Sequence, residues 1–104
     1  MKEVKNWRAI LIEEGKIVAA IPLPGCIIEG ELDDEEKKFL TLDVDLSALT
    51  FTTPNYQKYR LSGARQDYLT TLNQFIEIGK SKNITIPDIN IETLGIEKSE
   101  GYER

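Results

Sequence analysis

The sequence predicts an α+β domain: an antiparallel sheet, strongly curved or barrel-like, with one long helix packed on one face. Three observations predict it. Several β-type stretches follow one another with no helical stretch between them, which is the pattern of an antiparallel sheet rather than of crossover units. One stretch, residues 63–80, carries apolar residues at helical spacing. The chain has 104 residues, enough for one domain with its own core. We place that domain at residues 1–94 and read residues 95–104, which are polar and charged, as a frayed tail.

Trp7-Arg8-Ala9-Ile10-Leu11-Ile12 and Ile17-Val18-Ala19-Ala20-Ile21 are apolar runs around Glu13-Glu14-Gly15-Lys16. This pattern predicts a β-hairpin. The second run is apolar at successive positions, as expected of a central strand covered on both faces. Ile21-Pro22-Leu23-Pro24-Gly25-Cys26 then reads as a corner, with Pro22 and Pro24 ending one strand and Gly25 turning the chain. Cys26, Ile28 and Leu32 share one face of the next strand, and Glu29 and Glu31 the other. Gly30 marks a bulge or a close backbone approach. Asp33 to Lys38 reads as a charged turn.

Leu40, Leu42, Val44 and Leu46 alternate with Thr41, Asp43 and Asp45, predicting a strand with its leucines inward and its aspartates in water. The apolar parity changes at Leu49 and Phe51, so a bulge or bend is expected at Ser47-Ala48. Thr52 to Asn55 is a loop, and Tyr56 to Leu61 a short strand or extended lead-in. Ser62 is a fitting N-cap for the helix. Ala64, Tyr68, Leu72, Phe75, Ile76 and Gly79 lie on one helical face with Leu69 beside them, and Leu72 and Phe75 are expected to meet the sheet. Ile84 to Ile91 alternates on both sides of Pro87, as in an edge strand through which copies could self-associate.

Composition narrows the function. Histidine is absent and cysteine occurs once. Ser-His and Cys-His catalysis and the usual transition-metal sites are thereby disfavoured, so no cofactor, no metal and no catalytic residue is assigned. Cys26 has apolar and acidic neighbours, which hold a thiol protonated, and it reads as a small buried hydrophobe. Asp43 and Asp45 share a strand face and could hold a divalent cation or act as general acid and base, but alternating aspartates also simply keep an outer strand face solvated. No phosphate-loop or dinucleotide glycine spacing occurs. The net charge of −5 argues against phosphate binding and is compatible with a basic partner. No apolar run spans a bilayer and the charged first residues show no signal-peptide block, so a cytoplasmic location without membrane attachment is expected.

Asn55 to Arg60, with Arg65 beyond, is the aromatic and basic cluster of the chain. Tyr56, Tyr59, Arg60 and Arg65 are the candidate partner contacts, because tyrosine and arginine dominate contact energetics.

Leu23-Pro24-Gly25-Cys26, Gly30 and Glu35-Glu36 resemble the HicB-type antitoxins of bacterial toxin–antitoxin pairs. In that family a Leu-Pro-Gly-Cys corner follows a strand, and an acidic pair opens a helix. The resemblance implies that this chain would neutralise a toxin partner. Two departures stand beside it. The family's Pro-Asp before the leucine is Ile21-Pro22 here, and its alanine-rich helix is replaced by Phe39-Leu40-Thr41-Leu42, a strand pattern.

The leading expectation is a small non-enzymatic accessory, regulatory or inhibitory protein that binds a protein partner. By analogy with other compact acidic proteins, an inhibitor from a mobile element or phage fits. The alternatives are a single-stranded nucleic-acid-binding module using Tyr56 to Arg65, an antitoxin of the HicB kind, and a carboxylate-based hydrolase using Asp43 and Asp45.

Overall fold

A computed structural model describes residues 1–84 and 89–96. Seven strands form one mixed sheet: β1 (Glu3–Glu13), β2 (Lys16–Ala19), β3 (Ile27–Leu32), β4 (Glu35–Leu40), β5 (Asp43–Asp45), β6 (Thr50–Thr52) and β7 (Lys58–Ser62). Helix α1 (Gln66–Ser81) follows, then the short helix α2 (Ile91–Leu94).

The hairpin forms as expected. Glu14 and Gly15 both have positive φ, 51° and 78°, as a two-residue turn between twisted strands requires. The turn sets the register Ile10↔Ala19 to Glu13↔Lys16. The long strand β1, not β2, is the central one. It pairs with β3 along one side, and along the other with β2 near its end and β7 near its start. The β1–β7 pairing is parallel, Glu3↔Arg60 to Lys5↔Ser62. The sheet is therefore mixed, not purely antiparallel, because the chain returns through β4, β5 and β6 before it reaches β1 again.

The strand order is β4-β3-β1-β7-β6-β5. The sheet is not closed, yet it is strongly curved. In a flat sheet β4 and β7 would lie about 14 Å apart at the usual strand spacing. The Phe39 ring on β4 instead sits 4.9 Å from Tyr59 on β7, and both rings pack on Phe51 of β6 at 5.5 and 5.3 Å. The two ends of the strand order, β4 and β5, are joined through Thr41 and Leu42, and Leu42 N–H donates to Thr52 O at 2.7 Å.

Gly30 fulfils its expectation. The β1 register against β3 shifts between Lys5 and Arg8, with one extra residue on β1 and Asn6 at φ 51°. This bulge reverses the parity of β1, so Val4 and Trp7 both point inward and both are fully buried. Gly30 lies against the bulge. A Cβ there would stand 2.6 Å from Val4 Cγ1, 3.0 Å from Lys5 O and 3.1 Å from Trp7 Cβ.

Several expectations are corrected. Only Asp33-Asp34 forms the turn after β3, both residues at positive φ, and Glu35 to Lys38 belong to β4. Leu40 and Leu42 face solvent, about half exposed, while Thr41 is buried. The bend expected at Ser47-Ala48 is present as a turn, which Asp45 organises by accepting from Ser47 N, Ser47 Oγ and Ala48 N. Ser62 ends β7 rather than capping α1, which starts at Gln66 with Arg65 as N-cap. Arg65 hooks that start to β1, with its N–H on Trp7 O and its Nε on Asn6 O. From the final extended stretch, residues 85–88 lie outside the described residues, and Ile91 to Leu94 are helical. The tail from residue 97 also lies outside them.

The helix face matches its pattern: Tyr68, Leu69, Leu72 and Gly79 are buried, and Phe75 and Ile76 are half-buried against the core. Trp7 and Tyr68 rings lie 5.7 Å apart, and Tyr68 donates its hydroxyl to Ala20 O at 2.7 Å.

Candidate functional site

The expected aromatic and basic cluster does not form one surface. Tyr56 is 79% exposed at the loop tip, whereas Tyr59 turns inward onto Phe39 and Phe51. Arg60 lies 3.5 Å from Glu3, and Arg65 Nη2 donates to Glu36 Oε2 at 2.7 Å. Asp43 and Asp45 are exposed, and Asp45 is occupied by the Ser47-Ala48 turn. Among the described residues no group of three or more His, Cys, Asp or Glu side chains is placed to hold a metal ion. No described helix is long and apolar enough to cross a membrane.

The surface that does stand out lies at the corner. Cys26 N donates to Leu23 O at 3.0 Å, closing a turn with Pro24 and Gly25 at its centre. Gly25 has φ 95°, which an L side chain rarely adopts, and proline before it fixes the other half of the turn. Thr41 staples the corner to the end of β4. Its hydroxyl donates to Cys26 O at 2.8 Å and accepts from Gly25 N at 3.1 Å, while its own N–H donates to Cys26 O. These bonds turn Thr41 inward, and β pleating then sends Leu40 and Leu42 outward. The sequence pattern could not show this, because hydrophobicity alone favours the opposite phase.

The corner, the hairpin and α1 together enclose an open groove of about 520 Å³. Leu11, Ala19, Ala20, Ile21, Leu23, Pro24, Gly25, Cys26 and Phe75 line it. Leu11 and Leu23 remain 39% and 43% exposed at its rim. No carboxylate, amine, guanidinium or amide side chain lines it, so it suits an apolar group better than a polar one. Two smaller clefts contain hydroxyl and amide side chains, one at Leu46, Asn90 and Thr93 and the other at Gln66, Thr70 and Asn73.

Cys26 lines the groove but is buried, 3% exposed. Burial pushes its thiol up from the usual range, against hydrogen bonds from Thr41 and the backbone. Burial likewise raises the Tyr68 phenol. Both groups have folded pKa values above their unfolded ones. Their stabilisation is therefore full below the unfolded thiol value of about 8.5 and is lost as pH rises past it. Urea unfolding between about pH 7 and 10.5 is expected to show falling stability above about pH 9. Cys26→Ala with Tyr68→Phe should flatten that fall, and a flat wild-type profile would contradict the burial.

On the outer face Glu29 is buried between Arg8 at 2.5 Å and Lys38 at 3.2 Å. These are its direct neighbours in the β1–β3 and β3–β4 registers. Burial alone would raise its carboxyl, but the bonds from Arg8 and Lys38 prevail and hold it below the usual range. This charged row pins β1, β3 and β4 together.

No protein-family model matches the chain, and no curated protein or solved structure shows significant similarity to it. The HicB resemblance therefore rests on residues 23–36 alone. Within them the acidic pair Glu35-Glu36 opens strand β4, where that family opens a helix.

Proposed function

We propose that this protein is a non-enzymatic interaction protein that receives an apolar side chain of a protein partner in the groove beside the Leu23–Cys26 turn. One observation carries the reading: an open, predominantly apolar groove rimmed by part-exposed leucines. Interface hot spots are typically a side chain seated in such a desolvated pocket, surrounded by contacts that exclude water. The net charge of −5 favours a partner with a basic surface, through faster encounter more than through affinity. A regulatory or inhibitory role in the cytoplasm follows as part of the same proposal.

The test is affinity capture from native cells with the wild type and with Leu23→Asp. Binding to the recovered protein is then reconstituted from purified components. A side chain exposed at the rim can be changed without unfolding the domain, so Leu23→Asp is expected to fold normally and to weaken binding at least tenfold. A small apolar molecule co-purifying in the groove, with no protein captured, would overturn the reading.

A further inference from the structure

We propose that the protein also self-associates, through antiparallel pairing of β2 with β2 of a second copy about a two-fold axis at Val18. The inference is independent of the groove proposal. Among the described residues, three strands have a pairing partner on one side only: β4, β5 and β2. Such edges invite pairing unless something guards them. β4 opens with Glu35-Glu36-Lys37-Lys38, four charged side chains in a row. β5 is Asp43-Val44-Asp45, and antiparallel self-pairing about Val44 would set Asp43 opposite Asp45 of the other copy. Like charges directly opposite are destabilising. β2, Lys16-Ile17-Val18-Ala19, carries a single charge, at its first residue, and three apolar residues after it.

The backbone selects the register. Ala20 N–H donates to Ala9 O, so Ala9 and Ala20 form a hydrogen-bonded pair. Alternation along the antiparallel ladder makes Leu11–Val18 and Glu13–Lys16 hydrogen-bonded pairs too. The N–H and C=O of Ile17 and Ala19 therefore point away from β1, and no backbone partner meets them among the described residues. Pairing Ile17 with Ala19 of the second copy, and the reverse, satisfies all of them at once and places the two Val18 residues face to face.

Charge is compatible with this register. Lys16 falls opposite Ala20 of the other copy, and the two lysines stand about 13 Å apart along the ladder at 3.3 Å per residue. Helix α1 packs beside β2 and meets the Ala20 end through Tyr68. The two-fold sends the two helices to opposite ends of the ladder. The exposed pair Ile12↔Ile17 gains apolar neighbours on one face. One short ladder lies below the standard interface of about 1,200 Å² or more, so the dimer is expected to be weak.

Val18→Cys in a Cys26→Ala background tests the register. Non-hydrogen-bonded partners hold their Cβ atoms about 4.5–5.5 Å apart, close to disulfide geometry. Mild oxidation is expected to give a covalent dimer at least tenfold faster than for Ile17→Cys or Ala19→Cys in the same background. Sedimentation of the wild type up to about 1 mM should show a monomer–dimer equilibrium, abolished by the exposed-edge variant Ile17→Lys and unaffected by Leu23→Asp. Equal crosslinking at all three positions, or a wild type that stays monomeric throughout, would overturn the proposal. Circular dichroism of each variant separates loss of pairing from loss of fold.

Discussion

Gly30→Ala is expected to be among the most destabilising single-methyl additions available in this chain. The new Cβ would meet Val4 Cγ1 at 2.6 Å, and behind it the Lys5 carbonyl oxygen at 3.0 Å. A flexible side-chain tip could swing away, but Val4 is fully buried and the carbonyl belongs to the bulge that aims Val4 and Trp7 inward. The methyl group therefore pushes apart β1 and β3, the central pair of the sheet. Overpacking of this kind typically costs about 1–3 kcal/mol, and with backbone as the obstacle the upper end applies. For a domain of this size about 3 kcal/mol is a large share of total stability and lowers Tm by roughly 12–24 °C. Differential scanning calorimetry or urea unfolding reads it directly. A loss below about 0.5 kcal/mol would mean that the bulge is not packed as described.

Phe51→Ala is expected to cost about 3–5 kcal/mol, the usual range for truncating a buried aromatic. Phe51 is 1% exposed and its ring lies 5.5 Å from Phe39 and 5.3 Å from Tyr59. These rings come from β6, β4 and β7, and they meet because the sheet folds over on itself. No ladder closes β4 to β5, so side-chain packing holds the curvature where a closed barrel would use hydrogen bonds. Removing the central ring should loosen the two ends of the sheet as well as lower global stability. Amide exchange is expected to quicken in β4 and β5 more than in β1 and β3. If Phe51→Ala instead destabilised all strands equally, packing of this cluster would not be what holds the two ends together.

Much of this fold was legible in the sequence, where local chemistry and long-range packing agree. The Glu14-Gly15 turn, the Pro24-Gly25 corner, the inward Cys26 and Ile28, and the Tyr68–Leu72 helix face follow from turn residues and periodicity. The misreadings share a cause. Leu40 and Leu42 look like core residues by alternation, but Thr41 bonds the Gly25–Cys26 corner and its hydrogen bonds set the phase. Glu35 to Lys38 look like a turn because they are charged, yet Glu29 beneath them supplies a partner for Lys38, and β3 a ladder. The parallel β1–β7 pair joins residues far apart in sequence, which no local pattern encodes. The groove was half visible. Its turn stands out in the sequence, but Leu11 and Phe75 reach it only through the hairpin and the helix. The tyrosine and arginine cluster stands out in the sequence because its members are close together, which does not reveal what each side chain packs against. Strand alternation turns Tyr59 onto Phe39 and Phe51, while Arg60 and Arg65 pair with Glu3 and Glu36.

The most direct test of the groove as the contact centre is amide hydrogen exchange, on the protein alone and bound to the partner it captures from its native cells. Exchange is expected to slow from Ala19 to Ile27 and along Leu72 to Gly79, the segments that wall the groove, with the Tyr56 loop unchanged. Protection confined to Tyr56 through Arg65, with the groove exchanging as in the unbound protein, would contradict it.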